Sequence, residues 1–336
     1  VSAHLRGIEY YLPSKVVTNA EIDAEFPDWK IDRVAAKTGI MTRHVAGPEE
    51  FTSTLAVNAA RNLFTSQGVD PKSIDYLILC TQTPDFFLPT TACLVQDSLG
   101  LRTEIGAVDV NLGCSGYIYS LGMAKGLIES NQVKNALVIT AETHSKLANP
   151  TDKSTRPIFG DAATATLVGG DMPSSRLTGF TYGSDGLGGP SLVIPNGSLR
   201  RGDQYSPRSN AATRGLETNG YDMYMDGMEI FNFTLRVVPD CVAQILDRTG
   251  LTLDQIDYFV FHQANGYLIE HLRKKLGIDE SKFAVELSDV GNTGSSTIPI
   301  ALARAQSEGK IREGSRIMIL GFGVGLSWGG AVIEWS

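Results

Sequence analysis

Residues 68–79, GVDPKSIDYLIL, and residues 250–261, GLTLDQIDYFVF, repeat one pattern: a glycine, a short polar turn, Ile-Asp-Tyr and an apolar run. Ile74 and Ile256 stand at an offset of 182. Working outward, Leu99-Gly100-Leu101 recurs as Leu276-Gly277-Ile278 at an offset of 177, and Gly113-Cys114-Ser115-Gly116 as Gly291-Asn292-Thr293-Gly294 at 178. One such match is a common turn and strand; three in the same order at nearly one offset predict a duplicated half. In the first half the apolar periodicity predicts a helix over 53–67, a strand over 74–81, a helix from a Thr90 cap to Leu99, a strand over 105–110, a helix over 115–129 and strands at 136–141 and 162–168. In the second it predicts a helix over 227–248 bent at Pro239, where a backbone donor is missing. A strand at 256–261, a helix ending at Leu276, a strand near 283–287, a helix over 295–306 and strands at 315–320 and 331–335 follow. Such alternation implies two layered α/β halves, 1–175 and 176–336. The polar, glycine-rich stretch 186–220 has no periodicity and reads as a surface insertion or a lid.

The 336 residues suffice for two units with real cores, and 42% hydrophobic with 20% charged residues is a globular composition. A net charge of −8 argues against nucleic acid or an anionic membrane surface as the main partner, since either needs a cationic face. No run of about 18 apolar residues is present, and residues 1–15 lack the apolar core of a secretion signal, so the chain reads as cytoplasmic. The four cysteines form no Cys-x-x-Cys pair and the histidines at 4, 44, 144, 262 and 271 do not cluster, so no metal site is expected.

Cys114 follows a predicted strand and precedes an apolar helix, which puts its sulfur at a helix N-terminus, where free amides and the helix dipole favour thiolate. Gly113 and Gly116 permit the sharp turn that exposes it. Two readings stand for it, a nucleophile and a small core residue; Cys80, Cys93 and Cys241 are assigned to the core. His262 ends the strand 256–261, at the carboxyl edge where open α/β sheets place ligands, although a lone histidine is also an ordinary structural group. Asn292 occupies in the second half the place of Cys114 in the first, so a pseudo-symmetric fold brings both turns to one crevice. The glycine-rich run 321–330, GFGVGLSWGG, lacks the sixth glycine of a dinucleotide loop and is followed by a strand, so it is read as a turn that brings a backbone N–H against a substrate oxygen.

Residues 109–117 (DVNLGCSGY), 159–168 (FGDAATATLV), 261–265 (FHQAN), 291–294 (GNTG) and 321–330 together resemble β-ketoacyl-acyl-carrier-protein synthase III, of the thiolase-like superfamily. The resemblance covers the chain apart from 186–220. It implies a thiolase-like five-layered αβαβα fold of two duplicated halves, a homodimer, and a catalytic Cys114, His262 and Asn292. It also implies an oxyanion hole from the N–H groups of Cys114 and Val324, and no cofactor beyond coenzyme A thioesters as substrates. The implied reaction is decarboxylative Claisen condensation of an acyl-CoA primer with malonyl-acyl-carrier-protein. Cys114 takes the acyl group, because a thiolate both attacks and leaves well, and His262 and Asn292 donate to the enolate formed as CO₂ departs. Thiolases place a second cysteine near the C-terminal glycine loop, and none follows Cys241; elongating ketosynthases have a second histidine where Asn292 stands.

Several positions depart from the family pattern. Arg33 replaces the tryptophan that stacks on the coenzyme A adenine, while Lys37 and Lys153 keep cationic positions for phosphates. Tyr267 and Asn232 replace an arginine and a lysine of the carrier-docking face, where Arg273, Lys274 and Lys275 still offer positive charge, or form an ordinary solvated helix face. Leu88, preceding Pro89-Thr90-Thr91-Ala92-Cys93, stands where a bulky aromatic closes the partner's acyl pocket. A pocket admitting chains longer than acetyl is therefore expected, with Phe87 near its entrance. These departures keep two alternatives: a specialised-metabolism ketosynthase or acyltransferase on the same scaffold, and a non-catalytic carrier-binding subunit.

Overall fold

The computed structural model describes residues 1–170, 175–199 and 220–336. The chain opens with strand β1 (Ala3–Tyr11), then a hairpin of β2 (Lys15–Thr18) and β3 (Thr42–Val45) with helices α1 (Asn19–Glu25) and α2 (Ile31–Thr38) between them. The rest of the first half is α3 (Thr52–Gln67), β4 (Tyr76–Cys80), α4 (Thr91–Ser98), β5 (Gly106–Val110), α5 (Gly116–Glu129), β6 (Asn135–Glu142) and β7 (Ala162–Gly170). The second half is β8 (Ser175–Ser184), a short pair β9 (Leu192–Val193) and β10 (Tyr224–Met225), α6 (Gly227–Thr249), β11 (Tyr258–Phe261), α7 (Gly266–Leu276), α8 (Thr297–Ser307), β12 (Arg316–Gly323) and β13 (Ser327–Glu334).

Among the described residues nine strands pair in the order β11-β12-β13-β8-β1-β7-β6-β4-β5, and the two halves meet where β1 pairs with β8 through His4 with Arg176 and Leu5 with Ser175. Outward from that junction both sides read alike. β1/β7 and β8/β13 are antiparallel, as are β7/β6 and β13/β12, whereas β6/β4 and β12/β11 are parallel. The pseudo-symmetry fails at the outer edge. Where β5 pairs with β4, the expected strand at 283–287 is reduced to one bridge, Phe283 with Phe259. The Gln263 side chain explains this: its Nε2 donates to the Ala284 carbonyl and its Oε1 accepts from Glu286 N–H, so an amide side chain takes the place of a neighbouring strand.

The strands alternate between two faces, and both faces are covered, which is why they read as continuous apolar runs. Leu77 and Leu79 of β4 and Leu137 and Ile139 of β6 pack outward on Leu55, Ala59 and Leu63 of α3. Ile78 and Val138 point inward with Tyr117, Ile118 and Leu121 of α5 and Ile298, Ala301 and Leu302 of α8, and from the other side come Val260, Ile317 and Ile319. Met318 and Leu320 then face Phe233, Val237 and Ile245 of α6 and Leu268 and Leu272 of α7. Three cores fill the space between five layers, α3/α4, one half of the strand order, α5/α8, the other half, and α6/α7, the middle core lying on both sides of α5/α8.

Helix α6 continues through Pro239 as one element, as expected. Three local expectations are corrected. Thr90 makes no side-chain cap to α4; instead Asp109 of β5 accepts from Thr91 N–H at 2.8 Å and Ala92 N–H at 2.7 Å, so the cap comes from the neighbouring strand. Cys93 is exposed, while Cys80 and Cys241 are buried. The start of the 186–220 stretch has structure, a 3₁₀ turn over Gly186–Ser191 and β9 paired with β10; residues 200–219 lie outside the described ones.

Candidate active site

Cys114 sits two residues before α5, at the carboxyl edge of β5, and His262 directly follows β11, anchored by its N–H to the Leu320 carbonyl at 2.8 Å. Asn292 lies in the turn before α8, where its N–H donates to the Ile158 carbonyl and its carbonyl accepts from Gly160 N–H. All three line one cavity of about 660 Å³, together with Val324, His144 and Lys37. The remaining wall is largely apolar, including Leu192, Val193 and Ile194. The start of the expected insertion is thus part of the cavity wall.

The end of β12 packs directly on the nucleophile. A Cβ on Gly323 would lie 2.8 Å from Cys114 Sγ, so only glycine lets this strand approach closely enough for the Val324 N–H to reach the sulfur. Burial pushes the Cys114 thiol up to about 12 and the charge of Glu142 adds to it, while the N–H groups of Cys114 and Val324 pull the other way. Burial and the Glu142 charge thus oppose the expected thiolate preference, which the two backbone donors favour.

His262 is buried, with its ring edge-on to Phe322. Burial, and secondarily His144, lower it to about 3, so it is neutral. Its Nδ1 lies 2.7 Å from Thr297 Oγ1, the first residue of α8, and that hydroxyl also lies 3.1 Å from the Gly294 carbonyl. Asn292 Oδ1 accepts from Gly294 N–H at 3.0 Å, which turns its NH₂ to the other side as a donor. The constellation comprises a thiol flanked by two backbone N–H groups and two neutral side-chain donors in an apolar enclosure.

With this geometry in view, residues 108–186 match the family described as 3-Oxoacyl-[acyl-carrier-protein (ACP)] synthase III, and residues 246–335 match its C-terminal part. A β-ketoacyl-[acyl-carrier-protein] synthase III of Caldanaerobacter subterraneus subsp. tengcongensis is 37% identical over 336 residues, covering 100% of this chain and 98% of the relative. The chain belongs to the β-ketoacyl-[acyl-carrier-protein] synthase III family. Its thiolase-like α/β fold matches a crystal structure of a 3-oxoacyl-(acyl-carrier-protein) synthase III at TM-score 0.92 and 42% identity, with both chains covered completely. A synthase from Burkholderia xenovorans LB400 matches at TM-score 0.92 and 34% identity, covering 100% of this chain and 95% of that one. The activity is accordingly that of a synthase III acyltransferase, condensing acyl-CoA with malonyl-acyl-carrier-protein to initiate fatty-acid synthesis.

The other expected site residues fall differently. Lys37 lines the cavity, with Nζ 5.1 Å from the Tyr267 ring centroid, and Tyr267 stacks on Phe231. Lys153, Arg33, Phe87 and Leu88 are not among the residues lining this chain's own cavity, although Ser154 beside Lys153 is. Phe87 and Leu88 are 70% and 77% exposed. Of the basic trio, Arg273 holds Glu270 through Nε and Nη2, Lys274 pairs with the same carboxylate, and Lys275 donates to the Leu235 carbonyl. Among the described residues no group fit to hold a metal occurs, and no helix is long and apolar enough to cross a membrane.

Three side chains of this site escaped the sequence reading: Thr297, Glu142 and His144. A signal existed for the last. His144 follows the strand predicted at 136–141, on the same carboxyl edge that singled out His262.

Proposed function

We propose that Cys114, His262 and Asn292 carry the condensation, the first as nucleophile and the others as oxyanion donors. What supports this is their convergence from both halves on one cavity, with the Val324 N–H beside the sulfur. The Cys114 sulfur attacks the acyl-CoA carbonyl, its tetrahedral oxyanion held by the N–H groups of Cys114 and Val324, and coenzyme A leaves. The malonyl thioester then loses CO₂, and the enolate oxygen takes hydrogen bonds from His262 Nε2 and the Asn292 amide. Donation from Nε2 requires Nδ1 to be the acceptor, so the Thr297 hydroxyl proton lies toward His262 in the working state. The carbanion attacks the acyl-enzyme, and Cys114 leaves as the 3-oxoacyl thioester forms.

The division at 175/176 into a nucleophile-bearing and a His/Asn-bearing half is part of this proposal, as are a homodimer, a cytoplasmic setting, phosphate contacts from Lys37 and Lys153, adenine contact from Arg33, and carrier docking near Arg273, Lys274 and Lys275. Intact-mass measurement with a panel of acyl-CoAs, followed by malonyl carrier protein, tests the reading. The expected result is one acyl adduct, lost in Cys114→Ala, retained when Cys80, Cys93 or Cys241 is replaced, and discharged by the malonyl carrier. An adduct forming on Cys114→Ala at the wild-type rate places the nucleophile elsewhere; no adduct from any donor leaves a carrier-binding subunit.

A further inference from the structure

Condensation moves protons as well as carbon. In acylation a bond forms from Cys114 sulfur to the acyl carbon, the bond to the coenzyme A sulfur breaks, and the Cys114 proton must end on that departing sulfur. In the second half CO₂ leaves, a carbon–carbon bond forms, and Cys114 departs as a thiolate that needs a proton, one taken from solvent per turnover. His262 cannot hold the first of these in the role given above. With its proton on Nε2 and Nδ1 accepting from Thr297, it has no free lone pair.

A second titratable side chain, His144, faces the same cavity, with Glu142 buried beside it. His144 is 95% buried, lines the cavity, and its Nδ1 has no hydrogen-bond partner among the described residues. Its Nε2 lies 3.6 Å from Glu142 Oε2, within reach of an ion pair once the ring is protonated. Glu142, fully buried at the end of β6, is fixed by the Gln82 N–H and Thr83 Oγ1 on one oxygen and Ser295 Oγ at 2.7 Å on the other. Room for the ring comes from Gly294, where a Cβ would overlap it. A buried imidazole with one nitrogen backed by a fixed carboxylate and the other bare is arranged to pass a proton. Other titratable groups coupled to the pair are Cys80, Cys114 and Asp161, through Glu142, and His262, through His144.

We propose that His144, positioned by Glu142, holds the Cys114 proton during acyl transfer, taking it at Nδ1, passing it to the departing coenzyme A sulfur, and later returning a solvent-derived proton to the Cys114 thiolate. This rests on the roles assigned above to Cys114 and His262. With one proton the pair accepts; with two it donates. Burial holds Glu142 up to about 8 and His144 down to about 4, so the second proton is exchanged near neutral pH. Acylation accordingly draws on the one-proton form and rises as pH rises through about 8.

The test is the rate of acyl-enzyme formation, followed by rapid-quench intact mass across about pH 6–9. Replacing His144 by Gln, or by Asn should Gln not fold, is expected to slow acylation by about 10²-fold, in the range for losing a general acid–base group, and to flatten the rise with pH. Glu142→Gln should flatten it too. Acylation within about twofold of wild type, or a lower rate that keeps the wild-type pH profile, overturns the proposal and leaves His144 as packing. A wild-type chain that takes no acyl group overturns instead the function on which the proposal rests. Independently of any variant, ¹⁵N-histidine spectra must show the proton of the neutral His144 ring moving between Nε2 and Nδ1 as Glu142 titrates in this window; a ring that stays unchanged also overturns it.

Discussion

Thr297 carries a single hydroxyl proton with two acceptors in reach, His262 Nδ1 and the Gly294 carbonyl, and the choice decides which nitrogen of His262 faces the cavity as a donor. Thr297→Val keeps the shape and removes the proton. Malonyl decarboxylation should fall by about 10-fold or more, with KM moving less than kcat, and Thr297→Ser should restore it; an unchanged kcat in the valine variant would remove Thr297 from the mechanism. Glu142 gives a pH prediction of defined sign. Its folded value of about 8 lies above the ordinary carboxylate value near 4.5, so its contribution to stability is fully present below about pH 4.5 and lost as pH rises toward 8. Glu142→Gln should therefore gain melting temperature relative to wild type between pH 5 and 8, and urea melts at several pH values check this. At this scale Cys114 and His262 were legible as candidates because each follows a strand at its carboxyl edge, and Asn292 because it takes the place of Cys114 in the second half of the repeat. The burial of the Cys114 sulfur was not, because a helix N-terminus can be read from spacing whereas the packed wall and the charge of Glu142 come from residues distant in sequence.

The hairpin of β12 and β13 presses its glycines on the turn that carries Cys114. Gly323→Ala should fold yet lose acylation, since the new methyl lies 2.8 Å from the sulfur; intact-mass acylation and a melting curve separate the two effects. Asp109 ties β5 to α4 through two backbone N–H groups, and Asp109→Ala should cost about 1–2 kcal/mol in urea unfolding, the range for a lost helix cap. Elements with a clear apolar signature were readable, α3 by its helical period and β4 by a continuous apolar run buried on both faces. Strands β1 and β8 were not, because AHLRGIEYY and SRLTGFTYGS mix charge and glycine among few apolar residues, and they become strands by pairing across the junction of the halves. The expected strand at 283–287 failed for the converse reason: its sequence allows pairing, but Gln263 supplies the hydrogen bonds first.

Over the whole molecule, Phe86, Phe87 and Leu88 form an exposed apolar run, 58%, 70% and 77% accessible, in a chain whose other large apolar groups are mostly buried. Such a run needs a cover, and a second copy is the proposed one. Sedimentation should give a dimer, and Phe87→Glu should shift it toward monomer. If Leu88 reaches the partner's cavity, acylation by hexanoyl- and octanoyl-CoA should approach or exceed that by acetyl-CoA, and Leu88→Phe should cut the longer chains by about 10-fold or more, one to a few kcal/mol in an apolar pocket. An unchanged chain-length profile in Leu88→Phe assigns Leu88 to plain interface packing. Layering was legible from the repeat, but contacts made between copies leave no period in the sequence of one.

Helix α5 lies against β4, β6 and β7 on one side and β8, β12 and β13 on the other. On the ribosome these two sides arrive at different times. When β7 has emerged, Ile118 and Leu121 still lack the strands that complete their core, and at about 5–20 residues per second the rest of the chain takes roughly ten to thirty seconds to appear. The nascent first half spends that interval with a sticky interior face uncovered. A premature stop in the second half therefore yields a product destined for aggregation or chaperone capture, never a free-standing half enzyme.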